Sequence, residues 1–250
     1  MSAPTKANIL DFATQLVSKH ALDSAKAQEV NIHSQKRGGV GGRGYGTNAH
    51  GLEIAWWVSP KRVHQELGFV FDRLQLQGRE RLITIGCGPA FHEVTLAKFF
   101  PDLKIVATDF DAAEVATARV IAQEVGVKNI ELLNIPGEQV GELEPASFDH
   151  AFSVAVIHDV PGLDEMCRGL ARVLKKGGVF AFTYNGPRQR AQFPDQPPLK
   201  ETISRYFKIE YEFPLVTPQH SREYFGSIAD RSEKERGYPL QWDAIAARLI

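Results

Sequence analysis

The chain is short of several things, and each shortage closes off a class of function. It has two cysteines in 250 residues, Cys87 and Cys167, so a disulfide framework is not expected and a reducing compartment is. Its formal net charge is -1, so no global basic field points to nucleic acid or an anionic membrane. No apolar run approaches the ~20 residues of a membrane span. Met1 to Leu10 lacks the apolar core of a signal peptide, and the expected setting is cytoplasmic. The histidines are scattered without ligand spacing, so no metal is expected. There is no internal repeat, and no lysine–serine pair of the phosphate-loop kind.

What is present is ordinary globular composition, 43% hydrophobic with 15 Phe, ample for one core. It is organised around Arg81 to His92. A β-branched apolar run ends at Ile85, a turn with Gly86 and Gly88 follows, and an amphipathic pattern begins at Ala90. Glycine lets backbone pass close to a ligand, and a helix N-terminus presents unpaired N–H groups.

Upstream, the spacing predicts a helix over Ala7–Ser18 and a weaker one over Ser24–His33, both read as a lid or cap. Lys36 to Gly46 is too glycine-rich for a regular element. It reads as a flexible connector, as a loop closing on a ligand through Tyr45, or as a short RNA-binding tract around Arg37 and Arg43. Ser59-Pro60 predicts a helix start and Gly78 its stop. Of Trp56 and Trp57, one is expected in the core, and Trp57 is the candidate facing a substrate.

Downstream, strands are expected at Leu103–Thr108, Asn129–Leu133, Phe148–Val154 and Val179–Tyr184. Helices are expected at Ala112–Val125, stopped by Gly126, and at Leu163–Leu174, with a turn at Lys176–Gly178. This alternation predicts an α/β fold with a doubly wound, mostly parallel sheet, whose ligands bind beyond the carboxyl ends of the strands. Asn185–Lys200, with four prolines, is expected to be a loop and Phe207–Phe213 a strand. Ser221–Glu235 and Asp243–Ile250 are read as helices. The organisation is an N-terminal helical cap over 1–78 with the glycine-rich loop 38–46, a Rossmann-like domain over 79–214, and a helical C-terminal tail over 215–250.

Asp109 lies about 20 residues beyond the glycine turn, at the end of the next strand, where a carboxylate can accept both hydroxyls of a ribose. That suits a nicotinamide cofactor or S-adenosylmethionine. Pro89 removes one helix donor and Phe91 stands where a third small residue would pack, which disfavours a pyrophosphate.

The chain resembles the class I S-adenosylmethionine-dependent methyltransferases. Four pieces carry the resemblance: Ile85 to Pro89, Val106 to Asp109, Ser147 to Ser153, and Arg172 to Val179, spanning about residues 80 to 185. The resemblance implies a Rossmann-like methyltransferase fold binding S-adenosylmethionine and releasing S-adenosylhomocysteine. Ile85, Gly86, Cys87, Gly88 and Ser153 would line the cofactor. Asp109 would hold the ribose and Phe110 flank the adenine. The family's second acid, near the adenine amino group, is missing, and Glu138 or the backbone at Ile135 would serve instead. Ala90 stands where another glycine is usual, and the usual last strand is not evident after Phe213.

Methyl transfer needs positioning, exclusion of water and, for some acceptors, a base. His158, after the fourth strand, is the candidate base, with Asp159 orienting it or capping the next helix. Tyr45, His50, Trp57, Tyr184 and Tyr224 are candidate pocket residues. The Asn/Asp-Pro-Pro-aromatic run of nucleic-acid amino-methyltransferases is replaced by Ser-Val-Ala-Val. The acceptor is therefore expected to be a small molecule, methylated on oxygen, nitrogen or carbon. The rivals are an enzyme of this fold catalysing a cyclisation or rearrangement, and an RNA- or protein-binding regulatory protein. The oligomeric state is left open.

Overall fold

A computed structural model describes residues 5–23, 25–30, 44–216, 238 and 241–250. Its centre is a seven-stranded sheet: β3 (Arg81–Ile85), β4 (Lys104–Thr108), β5 (Ile130–Leu133), β6 (Phe148–Val154), β7 (Leu174–Tyr184), β8 (Phe207–Val216) and β9 (Trp242–Leu249). The strand order is β5-β4-β3-β6-β7-β9-β8. The pairs from β5 through β7 are parallel, and β9 runs antiparallel to both neighbours. Chain direction across the sheet reverses between β3 and β6, which makes the carboxyl ends there the switch point.

The sheet is apolar on both faces because helices cover both. One face carries α1 (Lys6–His20), α3 (Pro60–Leu74), α4 (Phe91–Phe99) and α5 (Ala112–Val125), joined with Leu82, Ile105, Ala107, Phe152 and Ala181 in one core. The other carries α6 (Leu163–Val173) and α8 (Leu199–Ser204) over Ile83, Ile85, Ala151, Phe180 and Phe182. α1 buries Ile9, Leu10, Ala13, Leu16 and Val17, the stripe expected of it, against α3 and α4. Ser59 caps α3 and Pro60 opens it, as the sequence indicates. The helix ends at Leu74 with Gln75 left-handed, before the expected stop at Gly78. Asp111 caps α5 through the Ala113 N–H, and Gly126 ends it at φ +77°.

Several expectations need correction. Tyr45 and Gly46 are not irregular: they belong to β1 (Tyr45–Thr47), which pairs with β2 (Glu53–Ala55) as a hairpin. Gly46 serves close packing, since a Cβ there would sit 2.8 Å from the Val30 side chain in the short helix α2 (25–30). Residues 36–43 of the glycine-rich tract, Ser24 and residues 31–33 of the expected second helix, and Ser221–Glu235 lie outside the described residues.

Asn185–Lys200 is not a plain loop. Asn185 caps α7 (Gly186–Gln192) by accepting from the Arg188 N–H at 2.8 Å, and Pro187 sits in the first turn, where its missing N–H costs nothing. The helical reading of Asp243–Ile250 also fails, because these residues form most of β9. An Ala-rich run favours helix in isolation. Inserted between two strands and buried on both faces, small residues are what the packing requires. The last strand of the sheet is therefore present, and the tail over 215–250 is not wholly helical. The expected turn at Lys176–Gly178 falls inside β7, where register jumps from Phe148↔Leu174 to His150↔Val179, so residues 175–178 loop out.

Candidate active site

β3 delivers the chain to a turn that only special backbone can make. Gly86 and Gly88 hold φ of +70° and +52°, and Ala90 adopts +58°. A Cβ on Gly86 would lie 2.4 Å from the Val156 side chain, so the loop after β6 rests directly on the turn. At Gly88 the approach is looser: among the described residues a Cβ there would make only ordinary contact with the Glu114 carboxyl, at 3.9 Å.

The turn is tied to the next strand. The N–H groups of Gly86 and Cys87 donate to the Thr108 carbonyl at 2.7 and 2.9 Å. Asp109 follows immediately and is 5% exposed. Its Oδ2 accepts from the Gly88 N–H and its Oδ1 from the Asp111 N–H, both at 2.9 Å. These bonds fix the carboxylate plane at the mouth of the turn. Phe110, beside it, is 59% exposed, an unusual position for a large aromatic ring.

Carboxylates crowd this region. Burial holds the Glu93 carboxyl above its usual range, with Asp109 adding to the effect. Burial, then Glu93, Asp109 and Glu114, push the Cys87 thiol well up, so it is an inert wall rather than a nucleophile. Ser153 is buried and donates its hydroxyl to the Ile85 carbonyl at 2.8 Å, linking β6 to the start of the turn. Ile135 is half-buried in the loop after β5. Glu138 accepts from the Gly162 N–H at 3.0 Å, at the start of α6.

The ends of β6 and β7 form the other wall. Ala155 is left-handed at φ +55°, and its N–H donates to Thr183 Oγ1 at 2.9 Å. A short 3-10 turn then carries His158, which is 1% exposed. Its Nδ1 accepts from the Asn185 N–H at 3.3 Å. Burial lowers its pKa to about 4, with Arg188 and Arg62 contributing and Asp159 opposing. The ring is therefore neutral near pH 7, and with Nδ1 accepting, its proton sits on Nε2. Asp159 Oδ2 lies 3.8 Å from that Nε2 and 2.7 Å from Arg188.

A buried ionic group was not foreseen. Arg62 donates through Nε to Glu66 Oε1 at 2.7 Å, and its guanidinium lies 5.0 Å from the Trp242 ring centroid. His92 Nε2 stands 3.6 Å from the second Glu66 oxygen. The i,i+4 spacing of Arg62 and Glu66 is a signal, but it reads as a surface pair until their burial is known. Of the candidate pocket residues, the structure brings Tyr45 and Trp57 together, ring centroids 6.3 Å apart, with Trp56 buried behind Trp57 as the core partner. His50 is exposed, its ring centroid 5.2 Å from that of His20 and tilted 57° to it. Tyr184 is buried against Phe182 on the face under α6. Tyr224 lies outside the described residues.

Residues 83–182 match the family model described as a methyltransferase domain. That stretch takes in the glycine turn, Asp109 and the ends of β6 and β7. The chain is 32% identical over 129 residues to a malonyl-acyl-carrier-protein O-methyltransferase of Legionella pneumophila, covering 50% of this chain and 44% of that protein. It is 25% identical over 142 residues to a ubiquinone biosynthesis O-methyltransferase of Acinetobacter baumannii, covering 54% and 59%. The chain thus spans about half the length of these curated relatives. Among solved structures, the cyclase SpnF superposes with a TM-score of 0.61 at 19% identity, covering 92% of this chain and 97% of that one, a likeness of fold. The residues at this turn fit S-adenosylmethionine, which a geranyl diphosphate methyltransferase of this fold holds: a glycine turn, a clamped carboxylate and an exposed ring stand side by side. Among the described residues no helix is long and apolar enough to cross a membrane.

Proposed function

We propose that the protein transfers the methyl group of S-adenosylmethionine to a small-molecule acceptor by in-line displacement. The observation carrying this reading is the Asp109 carboxylate, locked by Gly88 and Asp111 beside the glycine turn. Bound there, the cofactor supplies an electrophilic methyl on a sulfonium. Ile85 to Gly88 form a backbone collar, Asp109 takes the ribose hydroxyls and Phe110 flanks the adenine. The backbone at Ile135 meets the adenine edge, while Glu138 holds the start of α6 and Ser153 holds the collar to β6. His158 acts on the acceptor side as a neutral donor through Nε2, with Asp159 beside it. A ring whose pKa is near 4 is poorly matched to work as a base near pH 7. The β1–β2 hairpin, from the cap over 1–78, roofs the pocket with Tyr45 and Trp57 and excludes water.

The test uses methyl-labelled cofactor and a cell extract separated into small-molecule, protein and RNA fractions. Label in the small-molecule fraction supports the proposal, and label confined to RNA or protein contradicts it. Likeness to SpnF over most of the chain sustains a second reading, a cyclisation or rearrangement on this fold. Cofactor that binds yet is never consumed during turnover would favour it.

A further inference from the structure

Four buried polar side-chain atoms without a hydrogen-bond partner among the described residues gather at one place: Asp159 Oδ1, Arg188 Nε, Gln192 Oε1 and Gln196 Oε1. Their carriers are tied to one another. Arg188 brings a terminal nitrogen to 2.7 Å from Asp159 Oδ2. Gln192 is one turn further along α7 and shares a face with Arg188. Gln196 donates to the carbonyl of Pro161, two residues beyond Asp159. His158 stands next to Asp159, its Nε2 3.8 Å from Oδ2, too long for a hydrogen bond. The place is the carboxyl ends of β6 and β7, beside the glycine turn. Val156, whose side chain closes on Gly86, is two residues before His158. Asn185, directly after β7, caps α7 and donates its backbone N–H to His158 Nδ1.

We propose that the methyl acceptor is held through a neutral hydroxyl, which donates to Asp159 Oδ1 and accepts from Arg188 Nε. The proposal rests on the methyl-transfer reading above and names its substrate class. Asp159 and Arg188 neutralise one another at 2.7 Å, so the place favours neither a cation nor an anion. Its unspent atoms are mixed in kind: an ionised carboxylate only accepts and a guanidinium only donates. An ether or a carboxylate would fill Nε and leave Oδ1 bare, and an ammonium would do the reverse. A bond left unmade to a buried group is costly. A hydroxyl serves both atoms from one oxygen. The two glutamine oxygens add acceptors on the same side, which favours a ligand rich in O–H over one rich in carbonyls. Asp159 and Arg188 are thus specificity-determining residues.

The test loads the full chain with S-adenosylhomocysteine and follows the binding of small probes by ligand-observed NMR. The probes are benzyl alcohol, cyclohexanol and 1-hexanol, each beside its methyl ether, its primary amine and the matching carboxylate and carboxamide. Wild type, Asp159→Ala and Arg188→Met are compared. The expected result is at least one alcohol bound about tenfold or more tighter than each of its counterparts by wild type. In both variants the preference for alcohol over ether shrinks to about twofold or less, with S-adenosylhomocysteine affinity and circular dichroism unchanged. Alcohol and ether bound alike by wild type overturns the proposal, because Arg188 and Asp159 would then satisfy only each other. Tighter binding of the carboxylate or carboxamide overturns it, and so does binding of no alcohol at all. Loss of S-adenosylhomocysteine affinity in the variants also overturns it, because the pair would then serve the cofactor or the fold. Failure of wild type to bind S-adenosylhomocysteine would instead strike at the methyltransferase reading itself.

Discussion

The carboxylate of Asp109 accepts a hydrogen bond from the backbone N–H of Gly88 at 2.9 Å, joining the end of β4 to the turn after β3. Two strands that are neighbours in the sheet thereby share one polar clamp at their carboxyl ends. The clamp sets the position of the carboxylate before any ligand arrives, which lowers the cost of binding.

The turn beside that clamp tolerates no side chain at Gly86. Its φ is +70°, and a Cβ would fall 2.4 Å from the Val156 side chain. Gly86→Ala is expected to destabilise the fold by about 2–4 kcal/mol, combining backbone strain with overpacking. Urea unfolding of the two proteins checks it, and an unchanged midpoint would contradict the close approach of the β6 loop.

Ala90 holds a left-handed conformation at φ +58° without being glycine. Ala90→Gly should relieve that strain and gain up to about 1 kcal/mol, while Ala90→Val should lose stability. Thermal denaturation of both variants decides the matter, and the reverse order would contradict it.

Ala246 sits in β9 opposite Ala181 on one side and Tyr211 on the other. Ala246→Pro removes a ladder donor in an interior strand and should cost about 3 kcal/mol or more. In a helix beginning near Asp243, proline at that position would fall in the first turn and be tolerated. Retained stability in this variant would restore the helical reading.

His158 makes stability depend on pH. Its pKa falls from the ordinary 6.5 to about 4 on folding. Between those values the unfolded state holds more protons than the folded one, so stability falls as pH drops below 6.5 and levels off below about 4. The full effect is on the order of 3 kcal/mol. Comparing unfolding free energies of wild type and His158→Gln across this window isolates it. Parallel pH profiles would show that the imidazole titrates normally.

Much of the sheet was legible because its strands are short apolar runs closed by turn residues. Phe148–Val154 and Ala112–Val125 fall where periodicity and the Gly126 stop put them. Gly86, Gly88 and Asp109 were legible because backbone geometry demands those residue types. β9 was not, since alanine favours helix until two flanking strands require small side chains. α7 was misread because Asn185-Gly186-Pro187 resembles a breaker as much as a helix start. The Arg62, Glu66 and His92 group was invisible because its members come from α3 and α4, and only packing brings them together.

The most direct test of the account is calorimetric titration of S-adenosylmethionine into wild type and Asp109→Ala. Removing charge-assisted acceptors for the ribose should weaken binding by about tenfold or more, with the fold retained by circular dichroism. Saturable binding by wild type together with that loss is the predicted result. No binding by wild type, or equal affinity in the variant, would contradict it.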